Sequence, residues 1–453
     1  MEMNNTSNEL QIHIGSSLGH FHKVEGFLGE GGFGFVTKCR NLQTNKSEAI
    51  KINKNSPEVV RQAKSEISIL KRLQYLDPDT CNIVRWNGFF FDKDRICLNF
   101  ELLDQSLYEY MTARNNKGLN MTELRPVIQQ LATALSHLRS IGLVHADLKP
   151  DNVMIVNRNQ HPLKVRLIDF GLAHPVAEVQ PYICKQTTWY RAPEVMLNIP
   201  FNEAVDMWSL GITAAELATG YPLYPGNMDY DMLRFIIETQ GQPADHVLDR
   251  GLGTGYYFHR DERSGQQRWT FKSPEAFASQ TGFYAEETRA YKLNNLDALK
   301  HLVTKERQQS DQHLLVELIK RMLDLDPDQR INPLEVLRHP FFHYNVSQSS
   351  SADPCINTMG NKQEAPEDRQ QPSRLQVRGP ENLHLTPADL MDNTKNTDNT
   401  ENIENTLKVQ PDIDVENEGW VWRFFSRMKN TIQGYITWNR TAAIWSQPVA
   451  DAP

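Results

Sequence analysis

Residues 144–152 read VHADLKPDN, and the chemistry packed into them orders the reading of everything else. Within eight residues they gather His145, Asp147, Lys149 and Asn152. Asp147 can accept a proton from a hydroxyl or orient it, and Lys149 can neutralise a negative group in transit. Asn152 offers a carboxamide oxygen to a metal ion. About fifteen residues on, VRLIDFGLA (165–173) reads as an apolar strand ending in Asp169, a second hard oxygen ligand. Asp-Phe-Gly by itself is a common turn, so the weight falls on what else the chain carries and in what order.

Upstream, LGEGGFGFV (28–36) contains Gly29, Gly31 and Gly34 in a G-x-G-x-x-G spacing followed by Val36. Glycines let backbone N–H groups approach phosphate oxygens without side-chain obstruction. Alone the motif is weak. Here it lies between strand-like segments, whereas a dinucleotide-binding turn would open a helix at its third glycine. EAIK (48–51) then places Lys51 where an ammonium could hold two phosphates of a nucleotide. An alternating strand also exposes many ordinary lysines. The following segment, EVVRQAKSEISILKRL (58–73), sets Val59, Val60, Ala63, Ile67, Leu70 and Leu73 at helical spacing. Glu66 sits beside that stripe, where its carboxylate can face inward and pair with Lys51.

The chain has 453 residues, of which 39% are hydrophobic and 23% charged, enough to bury a sizeable core. A net charge of -8 argues against nucleic acid as a direct partner, since phosphate-backbone binding needs a basic face. Five scattered cysteines without a CxxC pair read as reduced thiols of an intracellular protein. The opening MEMNNTSNEL is polar, with no apolar stretch of a signal peptide behind it, and no run approaches the roughly 18 apolar residues of a membrane span. Composition changes near residue 345, where SQSSSADPCINTMGNKQEAPEDRQQPSR and later DNTKNTDNTENIENT are too polar to offset chain entropy. The expectation is a disordered arm at 1–20, an ordered domain at 21–344 and a mostly disordered tail at 345–453. Within the domain, short β-prone runs broken by glycine fill a small lobe at 21–103. From 104 to 344 the periodicity is mainly helical, as in ELRPVIQQLATALSHLRSIG (123–142), which ends on a stop glycine. The fold class is therefore α+β. DLDPDQRINPLE (324–335) mimics a calcium loop, but Gln329 occupies the position that requires glycine. Its better reading is structural, with Arg330 reaching back to Glu194.

The ordered set of glycine loop, A-I-K, helix glutamate, HxDLKPxN, DFG and APE (192–194) resembles the signature of eukaryotic protein kinases over residues 24 to 342. WYRAPEVML, DMWSLGITAAEL and GYPLYPG are similar to the branch holding cyclin-dependent, mitogen-activated and dual-specificity tyrosine-regulated kinases. ELLDQSLYEYM, HADLKPDN and YDMLRFIIETQGQP are most similar to homeodomain-interacting protein kinases. The resemblance implies a two-lobed fold with ATP in the cleft. Leu28, Gly29, Gly31, Gly34, Val36, Ala49, Lys51, Glu101 and Leu103 would contact the nucleotide, with Phe100 as gatekeeper. Asp147, Lys149, Lys51 and Glu66 would be catalytic, and Asn152 and Asp169 would hold Mg2+. It further implies serine/threonine substrates followed by proline, transcription regulators among the protein partners, a monomer, and residence in nucleus or cytoplasm. The rival of another class is a pseudokinase scaffold, which normally lacks Lys51, Asp147 or Asp169; all three are present. A small-molecule kinase fits less well, because the APE segment and the helices after it serve peptide docking.

Ala146 stands where most of these enzymes have an arginine that binds a phosphate on the activation loop. Homeodomain-interacting kinases share the alanine, so it does not mark a dead enzyme. In PYICKQTTWYRAPE (181–194) the place of their regulatory tyrosine, seven residues before Arg191, holds Cys184. A thiol cannot carry that phosphate. Either the loop is held by packing alone and the enzyme is constitutively competent, or Tyr182 has taken over the role. Farther on, residues 381–418 carry ten acids against two lysines, and GWVWRFFSRMKNTIQGYITWNR (419–440) has four basic residues and no acid. Its apolar residues repeat at helical spacing over 419–438. That segment reads as a helix for the kinase domain itself, for a partner or for a membrane surface, although Gly434 weakens it.

Overall fold

The computed structural model describes residues 12–178, 186–260, 269–303 and 309–343. Tyr182, Cys184 and the candidate helix at 419–438 lie outside these residues. Glycine-punctuated runs near the N-terminus form β1 (Ser17–Leu18), β2 (His22–Gly31), β3 (Gly34–Asn41) and β4 (Ser47–Asn53). After helix α1 (Pro57–Leu73) come β5 (Trp86–Asp92) and β6 (Arg95–Glu101). These six strands make one antiparallel sheet in the order β1-β2-β3-β4-β6-β5. Strand alternation gives the sheet two faces. On one face Leu18, Val24, Cys39, Ile50, Ile52 and Cys97 form a small separate core, with Ile12 and Phe90 packed against it. Residues 12–20, expected in a disordered arm, are therefore part of the folded domain: β1 pairs with β2, and Leu18 completes that core.

Helix α1 begins one residue before the segment read as helical from its apolar spacing. Pro57 fills a first-turn position, where its missing N–H costs nothing, and the Ser56 side chain accepts the Val59 N–H at 3.4 Å. Ala63, Ile67, Leu70 and Leu73 are buried as the periodicity requires, together with Ile69 and Glu66. Strand β4 and this helix place Ala49, Lys51 and Glu66 on the side of the sheet away from the small core.

The remainder is mostly helical, built on α2 (Pro78–Cys81), α3 (Leu107–Thr112), α4 (Met121–Ser140), α5 (Pro193–Met196), α6 (Ala204–Thr219) and α7 (Asp229–Gln240). Every residue from Val205 to Thr219 is buried, so α6 is apolar nearly all round and lies at the centre of this part. Helix α4 stops at Gly142, whose φ of 66° a side chain would resist. Short strands lie among these helices. β7 (Gln105–Ser106), β9 (Val153–Asn157) and β10 (His161–Leu167) form a three-stranded sheet, and β8 (Leu143–Val144) pairs with β11 (His174–Pro175). β7, β8 and β11 have two residues each, too few for alternation to register in sequence, whereas the end of β10 is the strand read from Val165. The strand read as running to Asp169 ends at Leu167: the Ile168 N–H turns to the Asn152 carbonyl at 2.9 Å and takes the chain out of the ladder.

Arg330 and Glu194 meet as read, through two hydrogen bonds of 2.5 and 2.9 Å, with both side chains almost fully buried. Removing one partner of such a pair would strand a buried charge. The acids of the pseudo-calcium loop are taken up by protein partners, Asp326 and Asp328 also meeting His246 and Arg250. Asp324 and Asp326 accept N–H groups of Asp326 and Asp328, and Glu335 closes a capping box with Asn332. Among the described residues, Cys39, Cys81 and Cys97 are free and buried, and no helix is long and apolar enough to cross a membrane.

Candidate active site

Strand period two decides where Lys51 points. Ile50 and Ile52 enter the small core, so Ala49 and Lys51 face the other way, level with Val36 of β3 and with Leu98 and Phe100 of β6. There the Lys51 ammonium lies 2.9 Å from both Glu66 carboxylate oxygens and 2.9 Å from Asp169 Oδ1. Glu66 comes from the apolar face of α1 and is only 2% exposed, a burial tolerable for a carboxylate because Lys51 meets it. Burial opposes the charge on Lys51, but Asp169 and Glu66 together raise its pKa above the usual lysine value. Burial would likewise raise the Asp169 carboxyl; the Lys51 charge and hydrogen bond, with the Gly171 N–H, hold it down to about 2. Asp169 sits at a φ of 59°, a left-handed conformation, and its side chain remains 39% exposed.

The second half of the site is the loop from His145 to Asn152. Its backbone is bent at Ala146, whose φ is 62°. Asp206 of α6 secures the bend, accepting the His145 N–H at 2.7 Å and the Ala146 N–H at 2.9 Å. Asp147 follows, 8% exposed and heavily partnered. Its Oδ2 accepts from Lys149 Nζ and Asn152 Nδ2, each at 2.8 Å, and its Oδ1 accepts the Thr187 hydroxyl at 2.6 Å. Lys149 Nζ also donates to Thr187 Oγ1 at 2.9 Å. Asn152 thus commits its amide nitrogen to Asp147 and turns its oxygen elsewhere.

The glycine loop is the β2–β3 hairpin, and its three glycines differ. A side-chain carbon at Gly29 or Gly31 would meet nothing within 4 Å, which leaves room beside the backbone for a phosphate group. One at Gly34, whose φ is 157°, would fall 1.9 Å from the Ile52 carbonyl oxygen, so this glycine serves close packing of β3 on β4. Leu28 is 48% exposed on the hairpin, and Leu103 is buried in the linker after β6. Glu101 turns its carboxylate behind that linker, accepting the Arg85 N–H at 2.7 Å and lying 3.3 Å from Arg166 Nε. Any contact of Glu101 with a base would therefore be through backbone.

The structure brings Lys51, Glu66 and Asp169 into one cluster and Asp147, Lys149 and Asn152 into another. Among the described residues, no three His, Cys, Asp or Glu side chains gather to hold a metal ion unaided. The sequence reading missed Thr187, Asp206 and Gln62. Thr187 had a signal, lying in the TTWYRAPE segment after the loop; Asp206 had only its place in DMWSLG. Arg191 donates to the Gln186 carbonyl at 3.1 and 2.7 Å and to Asp229 Oδ1, the first residue of α7, at 2.5 Å.

Comparison with known proteins bears on this geometry. The family model described as "Protein kinase domain" matches residues 22–342. Homeodomain-interacting protein kinase 2 of Mesocricetus auratus is 42% identical over 340 residues, 73% of this chain and 29% of that protein. Homeodomain-interacting protein kinase 4 of Homo sapiens is 40% identical over 332 residues, 69% of this chain and 54% of that protein. Homeodomain-interacting protein kinase 1 of Caenorhabditis elegans is 38% identical over 342 residues, covering 72% and 40% respectively. The chain thus spans from under a third to about half the length of these relatives.

Proposed function

The chain belongs to the protein kinase family, and from that premise we propose that it transfers the γ-phosphate of ATP to serine and threonine hydroxyls of protein substrates, as a kinase of the homeodomain-interacting kind. The observation that carries the reading is the junction at Lys51, where one ammonium joins the helix carboxylate Glu66 to Asp169 across the two lobes. Lys51 is held charged and in place to meet phosphate oxygens. Asp147 orients the incoming hydroxyl and takes its proton as the oxygen attacks phosphorus and the bond to the departing ADP breaks. Lys149 neutralises charge on the phosphoryl group in transit. Thr187 fixes the Asp147 carboxylate against Lys149, so neither has to reorganise during transfer. Asn152 and Asp169 would hold Mg2+, which when bound neutralises the phosphates and aligns them. Gly29, Gly31, Val36, Ala49, Leu28, Leu103 and the Glu101 backbone would form the nucleotide cleft. Turnover of ATP with a generic protein substrate should fall roughly 10²- to 10⁴-fold in Asp147→Asn at unchanged melting temperature. Undiminished transfer by that variant would remove the enzyme reading.

The substrate reading is finer. Arg191 engages the Gln186 carbonyl, so that carbonyl is withheld from an N–H of a passing peptide. Proline has no N–H to satisfy, which supports serine or threonine followed by proline. Leu172 after the DFG favours serine over threonine by family analogy. A peptide array with no preference for proline at the following position would overturn this. Its partners include transcription regulators, since the relatives are named for interacting with homeodomains, and the enzyme acts as a monomer in nucleus or cytoplasm. The working unit is the kinase domain, extended at its N-terminal side by residues 12–20.

A further inference from the structure

We infer that Gln62 is a positioning residue for Asp169, coupling helix α1 to the metal-binding loop by a hydrogen bond that accompanies the Lys51 ion pairs. Gln62 and Glu66 lie four residues apart on α1 and so share one face of the helix. Glu66 reaches Asp169 through Lys51. Gln62 reaches the same loop directly: its Nε2 donates to the Gly171 carbonyl at 3.0 Å. The two routes meet on opposite sides of a very small turn. The Gly171 N–H donates back to Asp169 Oδ1 at 3.3 Å, while its carbonyl goes out to Gln62. A side-chain carbon built on Gly171 would stand 3.1 Å from Asp169 Oδ1, 3.5 Å from Gln62 Nε2 and 3.7 Å from Glu66 Oε2, so the three groups enclose this one residue.

The turn needs such support. Asp169 holds a left-handed φ of 59°, unfavourable for a residue with a side chain. The Lys51 contact fixes one oxygen of Asp169 but not the plane of the backbone that follows it. The Gln62 bond holds the Gly171–Leu172 peptide, two residues farther on, and a shift of α1 would break both at once. Asp169 therefore presents its exposed carboxylate to Mg2+ in the required direction only while α1 is seated. The inference rests on the kinase reading above and adds to it a neutral coupling that survives when ionic contacts are screened by salt or taken over by phosphate.

Gln62→Met keeps the length of the side chain and removes the donor; Gln62→Glu keeps the shape and sets an acceptor against the Gly171 carbonyl. Wild type, both variants and Asp147→Asn would be assayed as full chains with ATP, varied Mg2+ and a generic protein substrate, beside melting temperatures. The expected result for Gln62→Met is a loss of kcat of about three- to tenfold, the worth of one hydrogen bond, with KM for ATP and protein within about twofold. The Mg2+ concentration for half-maximal activity should rise, and Gln62→Glu should be worse on both counts at a melting temperature near wild type. Unchanged kcat and Mg2+ dependence in Gln62→Met, with Asp147→Asn inactive, would overturn the positioning role and leave the kinase reading intact. Lost activity that tracks a lowered melting temperature in both variants, with Mg2+ dependence unmoved, would overturn it equally. Absence of transfer by the wild type would instead count against the kinase reading.

Discussion

Gly29, Gly31 and Gly34 show how one motif mixes two physical requirements. The sequence presents three equivalent glycines, and phosphate approach is the reason their spacing suggests for all of them. Space around them separates the roles: the first two face open room, while Gly34 is pressed against the Ile52 carbonyl at a φ closed to side chains. Gly34→Ala should therefore destabilise the protein by about 1–3 kcal/mol, the range for strain and overpacking. Gly29→Ala and Gly31→Ala should leave the melting temperature unchanged and raise KM for ATP. Calorimetry with ATP titration distinguishes them; equal melting temperatures for all three variants would contradict the packing role. Ala146 is a similar case. Its identity was legible, but not that it occupies a left-handed bend held by Asp206, some sixty residues along the chain.

At the scale of elements, alternation along β4 and the apolar stripe of α1 point Lys51 and Glu66 at each other, and both patterns can be counted in the sequence. Contacts between helices and loops cannot be counted so. The Tyr190 hydroxyl donates to Glu216 of α6 at 2.6 Å, and burial of Glu216, with Asp151 nearby, raises its carboxyl to about 7. An unfolded glutamate titrates near 4.5, so between that value and about 7 the folded state binds more protons. Stability contributed by protonated Glu216 is present at low pH and lost as pH rises across this window, by on the order of 3 kcal/mol at most. Glu216→Gln keeps an acceptor for Tyr190 and carries no charge. It should melt higher than wild type at pH 8, with the difference vanishing near pH 5. A difference independent of pH would show that Glu216 does not titrate there. Nothing in AVDMWSLGITAAELAT marks this glutamate as paired, because its partner comes from the segment before α5.

For the whole molecule, the question raised by Ala146 is how the peptide-binding side is held without the usual arginine. Arg191 is already neutralised by Asp229 of α7, and Arg330 ties Glu194 to the end of the domain, so both anchors use carboxylates of the chain itself. These contacts support constitutive competence. Phosphatase-treated protein should keep most of its activity, and Tyr182→Phe should cost little. A fall in Tyr182→Phe as deep as that of Asp147→Asn would show that the loop depends on its phosphate. The amino-acid sequence by itself determined the family, the two-lobed α+β organisation and the polar residues that gather at the candidate site. Those rest on local spacing: glycines, period-two and helical stripes, and a tight set of polar residues in HADLKPDN. Tertiary structure alone decided the ordered N-terminal strand, the two-residue strands among the helices, and the partners Thr187, Asp206, Asp229 and Gln62. Each of these depends on residues distant in the chain meeting in space, and a hydrogen bond across that distance leaves no period in the sequence.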